Sequence, residues 1–311
     1  MTSIINIPIQ VIITSIVPRG LGAESYGNFN YLTDFFTRLT SFFDSGTSTG
    51  FYTKLSQRLE EHGLKRYYWG FVAIMSIMMV LLVIFIFLFN IQQLIWIDQK
   101  PLFIWLALFW GFLYWSHQIV YKIIDAYGLT VDGEKAIIIK NLIGLCILGA
   151  LYYLGELNLL VLFIYHFFIF VLMLFIWWKL LKNNNIEIVP SQRLEKGLVN
   201  KYSIEFYQFS MPLFFGGLFG FFLGFADRWL LQLFGGSSEQ GLYSISYKVG
   251  ALCFLFTASM APLFTREISR AYGDNRPEEM RRLFLRFVPM LYSIAVCIGA
   301  FFFFQSEKVT I

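Results

Sequence analysis

Seven polar side chains recur at helical spacing inside a segment otherwise crowded with phenylalanine. Residues 27–48 read GNFNYLTDFFTRLTSFFDSGTS. On a helix turning about 100° per residue, Asp34, Thr37, Arg38, Ser41, Asp44, Ser45 and Ser48 share one stripe, and Phe35, Phe36, Leu39, Phe42 and Phe43 face the other way. Carboxylates, a guanidinium and hydroxyls in such a row suit binding in water rather than covalent chemistry. Charge turned toward hydrocarbon costs several kcal/mol, so the stripe needs water or protein beside it. The helix is expected to line a cavity, and a cavity in a many-helix membrane protein points to transport. The competing reading is narrower: Asp34 and Arg38, spaced i, i+4, pair with each other and merely ease insertion.

Other residues could join such a cavity. Lys248 lies about a turn into a later apolar segment, and snorkelling to the headgroups is its other reading. Asp227 and Arg228 end the segment before it, where an interfacial anchor is the commoner role. Lys122 and Asp125 read as loop-boundary charges, and His117 and His166 as hydrogen-bonded packing residues rather than proton carriers. Gly216, Gly220 and Gly224 form a four-residue series suited to close helix contact, and Pro212, Pro262 and Pro289 invite kinks. The sequence has no phosphate-binding Gly-rich loop ending in Gly-Lys-Ser/Thr, no His-Glu-x-x-His, no Cys-x-x-Cys and no Gly-x-Ser-x-Gly. Catalytic residues, a metal site and a cofactor are therefore not expected, and ATP is not expected to drive the protein directly.

The elements that must hold these residues are membrane helices. The chain is 57% hydrophobic, 20% aromatic and 14% charged, against about 25% charged in soluble domains. Spans of about 20 apolar residues are expected at 2–17, 27–48, 67–89, 102–121, 136–155, 157–178, 206–229, 242–264 and 283–304, nine in all. Alternating the loops between sides places 18 of the 24 Lys and Arg on one side and Arg19, Lys100 and Lys308 on the other. That bias puts the basic side in the cytoplasm, and topology explains it without nucleic acid. Residues 180–204 read as a linker and 274–287 as a small helix with Pro277, Glu278 and Glu279 in its first turn. Cys146, Cys253 and Cys297 read as small buried hydrophobes, and no cleavable signal peptide is visible.

Two stretches share a plan. LGAESYGNFNYL (21–32) and FGGSSEQGLYSI (234–245) each set a small polar turn before a helix, with Gly27 matching Gly241 at an offset of 214. Tyr52-Thr53-Lys54 then matches Phe264-Thr265-Arg266 at an offset of 212. Both units enter the membrane in the same direction, so the expected architecture is an all-α, two-lobe parallel repeat. The first lobe is 1–181, the linker 182–205 and the second lobe 206–311. With three spans against six, the second lobe is expected to be incomplete and the chain truncated. In the repeat register Lys248 falls opposite Asp34, and the two could meet across a central cavity.

The runs PRGLGAESYG and FFDSGTSTGFYTKLSQ, and later Asp227-Arg228-Trp229, GLYSISYKVG and LFTREISRAYG, resemble oligosaccharide flippases of the polysaccharide-transport family. That resemblance implies the multidrug, oligosaccharidyl-lipid and polysaccharide exporter superfamily, with two lobes around a central cavity. It implies a substrate, undecaprenyl-diphosphate-linked oligosaccharide, moved across the bacterial inner membrane by alternating access for surface polysaccharide such as O-antigen. Partners would be that lipid-linked substrate, membrane lipids and a coupling proton or sodium ion. Cations would meet the diphosphate, with Arg38, Arg228 and Lys248 as candidates, and Asp34, Ser41, Asp44 and Ser45 would complete the cavity wall. The alternatives are a cation-coupled drug or metabolite antiporter of the same superfamily and a membrane enzyme of polysaccharide assembly.

Overall fold

The computed structural model describes residues 2–59, 61–190, 196–252, 264, 268 and 276–304. Every regular element among them is an α-helix: α1 (Thr2–Asp44), α2 (Thr47–Gln57), α3 (His62–Leu88), α4 (Gln92–Ile95), α5 (Pro101–Ala126), α6 (Thr130–Tyr153), α7 (Leu159–Asn183), α8 (Lys196–Leu252) and α9 (Pro277–Phe304). Six of the described helices are long and apolar enough to cross a membrane. The ends have local causes. Pro101 opens α5, where a missing N–H costs nothing. The Asn158 side chain accepts from the Val161 N–H at 3.0 Å and caps α7. On α3, Val72, Met79, Val83 and Ile86 are buried while Ile74, Ile77, Leu81, Phe85 and Leu88 are exposed. A helix apolar on its exposed face as well as its buried one belongs in lipid, and the protein is a multi-pass membrane protein.

The chain divides into two compact units, Met1–Leu242 and Tyr243–Ile311. In the first, α1 packs against α5, α6 and α7. Phe36 is fully buried and stacks on Trp96 with ring centres 5.9 Å apart. A Cβ on Gly111 would stand 3.2 Å from Phe36 Cβ, so the glycine lets α5 close on α1. Lipid is as apolar as these rings, so close packing rather than exclusion of water holds such a joint. The second unit contains the end of α8 and α9, where Arg276 meets Glu279 at 3.1 Å and Ser293 donates to the Pro289 carbonyl at 2.7 Å.

Two helices break at matched positions. Gly22 interrupts α1 at φ 76°, ψ 164°, and Gly236 interrupts α8 at φ 73°, ψ −173°. This backbone region belongs to glycine, and the two sites are 214 residues apart, the offset of Gly27 and Gly241. Just beyond the breaks the helices touch. A Cβ on Gly27 would strike the Ser237 carbonyl, and one on Gly241 the Ala23 carbonyl. Ala23 and Ser237 are themselves a 214-residue pair, so each helix offers the other the same surface. The 91–97 segment is tied to both: Tyr31 donates to the Ile95 carbonyl at 2.6 Å, and Trp229 to that of Leu94 at 2.7 Å.

The basic loops do more than mark a side. Lys65 is fully buried and donates to the Glu187 carbonyl at 2.8 Å and to Tyr127 Oη at 3.1 Å. Arg66 donates to the Pro190 carbonyl at 2.9 Å and Trp69 to that of Ile188 at 3.1 Å. Lys54 and Arg58 both meet Glu205, at 2.7 and 3.4 Å. The start of the expected linker is thus bound down along the foot of α3. Replacing Lys65 by Met strands a buried carbonyl, at a cost of about 1–3 kcal/mol. Limited proteolysis should then cut within 184–190 several times faster than in the wild type.

Several expectations change. The first span runs to the Gly22 break rather than to 17, and the second helix ends at Asp44 instead of 48. Ser45 (φ 42°) and Gly46 (φ 76°) turn the chain there, so Ser48 belongs to α2 and leaves the stripe. The small helix expected over 274–287 is the start of α9, which is continuous with the ninth span. Two helix breaks fall at glycines that the sequence did not single out, Gly22 and Gly236. Cys146 and Cys297 are exposed rather than buried. Cys253, Pro262, most of LFTREISRAYG, the Thr265-Arg266 match and the end of the eighth span lie outside the described residues. The lobe boundaries 1–181, 182–205 and 206–311 come from the repeat, not from compactness, and they stay a proposal.

Candidate functional site

The stripe on the second limb of α1 sits where its pattern placed it relative to the rings. Phe35, Phe36 and Leu39 are buried, Asp34, Thr37, Arg38 and Asp44 are half-buried, and Ser41 is exposed. Its hydroxyls are engaged with their own helix: Thr37 donates to the Thr33 carbonyl at 2.7 Å and Ser41 to that of Thr37 at 2.9 Å. Ser45 donates likewise to the Phe42 carbonyl. Each therefore presents its oxygen to a ligand as an acceptor, the donor being already committed.

The charges do not pair along α1. Asp34 meets Arg228 of α8 at 3.0 Å, with Arg228 8% exposed and Asp34 37%. Arg38 is left without a carboxylate among the described residues. Its guanidinium lies against Gly224, where any Cβ would collide with Nη1. Of the glycine series, Gly216 and Gly220 face open space, and Gly224 alone gives close contact. Its role is to seat a cation, not a helix. The Asp34–Arg38 pair expected at i, i+4 is therefore replaced by a bridge between helices, and Arg228, which reads as an interfacial anchor in the sequence, is buried in that bridge. A half-buried guanidinium with no acid beside it among the described residues has the chemistry to meet an anion.

Asp44 has a different setting. Its Oδ1 accepts from the Ser48 N–H, Thr47 Oγ1 and Tyr68 Oη, each at 3.0 Å, and its Oδ2 from Ser48 Oγ at 2.7 Å. It caps the first turn of α2. Lys122 donates to Ser48 Oγ. Asp125 accepts from Thr130 and from Tyr52, and that second bond is the main cause pushing the Tyr52 phenol above its usual value. These boundary charges stitch α5 to α2. Thr40, Ser41 and Asp44 also face Tyr114, Trp115 and Gln118 across a cavity of about 60 Å³.

The histidines pack on rings: His166 stacks on Phe29 with centres 5.0 Å apart, and His117 lies 4.4 Å from Trp177. Lys248 lies in the second unit, and its meeting with Asp34 stays a proposal. Among the described residues no cluster of His, Cys, Asp and Glu could hold a metal ion. Sequence reasoning missed Lys65, Asn28, Gln99, Gln232 and Gln240, all inward-turned polar residues at helix ends. The one signal for Gln232 and Gln240 was their place just before and within the 234–245 half of the repeat.

Residues 1–265 match the family described as polysaccharide biosynthesis protein. No curated protein matches the chain. A solved structure titled as the inward-facing conformation of a multidrug resistance MATE family transporter of the MOP superfamily is similar in fold, with TM-score 0.73 and 14% identity. The likeness covers 99% of this chain and 71% of that one.

Proposed function

The chain belongs to the polysaccharide biosynthesis protein family, and we propose that it flips undecaprenyl-diphosphate-linked oligosaccharide across the bacterial inner membrane by alternating access. Arg38 carries the reading. A guanidinium seated on Gly224, without a carboxylate partner among the described residues, is suited to a diphosphate and poorly suited to a cationic drug. Arg228 occupies Asp34 and so keeps Arg38 available. The acceptor hydroxyls of Thr37 and Ser41 would receive sugar O–H groups in the same wet face. Protons or sodium would couple the cycle, and no covalent step is required of the protein.

Arg38→Ala should lower transfer of a fluorescent undecaprenyl-diphosphate oligosaccharide between liposome leaflets at least tenfold, the effect of losing one charged hydrogen bond of about 1.5–3 kcal/mol. Arg38→Lys should retain part of it. Full transfer by Arg38→Ala would remove the proposal. The likeness to a multidrug resistance transporter favours one rival, a cation-coupled antiporter. That protein would export small cations against an ion gradient and tolerate Arg38→Ala.

A further inference from the structure

Where α1 and α8 cross at Gly27 and Gly241, neutral polar side chains close a seam around the glycines. Asn28 Oδ1 accepts from Ser237 Oγ and from Gln99 Nε2, both at 2.6 Å. Gln232 Nε2 donates to Ser237 Oγ at 2.9 Å and to the Ile97 carbonyl at 3.3 Å. The seam therefore joins α1, α8 and the 91–97 segment at the end opposite the basic loops. Gln240 is 0% exposed, and neither atom of its carboxamide meets a partner among the described residues; Gln232 Oε1 also lacks one there. The residue 214 positions before Gln240 is Tyr26, itself 2% exposed.

A permanent joint gains by satisfying or replacing its buried polar groups, since an unsatisfied one carries its full desolvation cost. This joint leaves the Gln240 carboxamide and Gln232 Oε1 unsatisfied by the described residues. Its hydrogen bonds are between neutral groups, and each of those groups can exchange its partner for water. The one fully buried amide beside them favours the open form. Glycine at both crossing points removes side-chain interlock, so the helices can part without rotamer clashes.

We propose that this seam is the gate on the face opposite the basic loops, and that Gln240 is the residue that keeps it near balance. Closing strips the Gln240 carboxamide of water, and opening restores it. The purpose of such a gate rests on the transport reading above; its geometry does not.

The test uses the full chain with Cys146, Cys253 and Cys297 replaced by serine, purified and reconstituted. Ser237→Cys is labelled with a membrane-impermeant maleimide, and Asn28→Cys with Ser237→Cys is cross-linked by mild oxidation. Gln240→Leu should slow labelling and raise the cross-linked fraction, with a closed-to-open ratio shifted about tenfold. Gln240→Met, closer in shape, should act in the same direction. A labelling rate that neither substitution changes, in protein that stays monodisperse, overturns the gate. Labelling that shifts as stated in vesicles showing no lipid-linked oligosaccharide transfer keeps the gate and removes the flippase reading.

Discussion

Gly27→Leu should lower the yield and melting temperature of the protein, because the closed crossing of α1 and α8 has no room for its side chain. A Cβ at that position meets the Ser237 carbonyl and stands 2.8 Å from the Gly241 nitrogen, and both are backbone atoms of a facing helix. A side chain can rotate away from an intruding methyl, whereas a helix backbone must translate as a whole. Translation here would also break the bonds of Asn28 to Ser237 and Gln99. Overpacking of this kind costs about 1–3 kcal/mol in a yielding core and more where nothing yields. Domains are stable by only about 5–15 kcal/mol, so a cost of this size is a sizeable part of the margin. Gly241→Leu should behave alike, because its Cβ strikes the Ala23 carbonyl. The control is Gly220→Leu, which faces open space and gains in helix propensity. Yield of monodisperse protein and its melting temperature in one detergent read all three. Equal values for Gly27→Leu and Gly220→Leu would show that the crossing does not carry the fold.

How much of this was legible follows from what each residue's signal depends on. The helices were readable because a span needs only length and apolarity, both local properties. The Phe-rich face of α1 was readable because periodicity alone separates Phe35, Phe36 and Leu39 from Asp34 and Arg38. Gly27 and Gly241 were matched from a short shared plan, and the twin breaks at Gly22 and Gly236 sit at the same offset. The partner of Asp34 was not readable. Two bases lie within reach of an i, i+4 or repeat-register argument, and the one it meets, Arg228, is fixed by how α8 crosses α1. The split at Ser45 and Gly46 was hidden because Ser48 continues the polar period across a turn that only the backbone reveals. Lys65 reads as one more topological charge until its two acceptors are seen.

Arg228→Met and Asp34→Asn should each impair the protein, and the double substitution should impair it less than Arg228→Met alone. Arg228 is 8% exposed, so Asp34→Asn leaves a buried guanidinium without its acid. Breaking a buried pair costs about 3–5 kcal/mol, and the 37% exposure of Asp34 places this one at or below the lower end. Arg228→Met has a second consequence. Asp34 loses the Arg228 guanidinium, and its i+4 neighbour Arg38 is a base on the same helix face. Capture of Arg38 would neutralise the proposed anion receptor, so transfer of the lipid-linked oligosaccharide should fall about tenfold or more even where the protein remains folded. In the double variant Asp34 no longer competes for Arg38, and transfer should recover although the bridge is gone. Stability and transfer thus part company across the three variants. Melting temperature ranks them by the lost ion pair, and leaflet transfer ranks them by whether Arg38 is free. If transfer merely tracks melting temperature, the bridge supports the fold alone, and Arg38 does not owe its availability to Arg228.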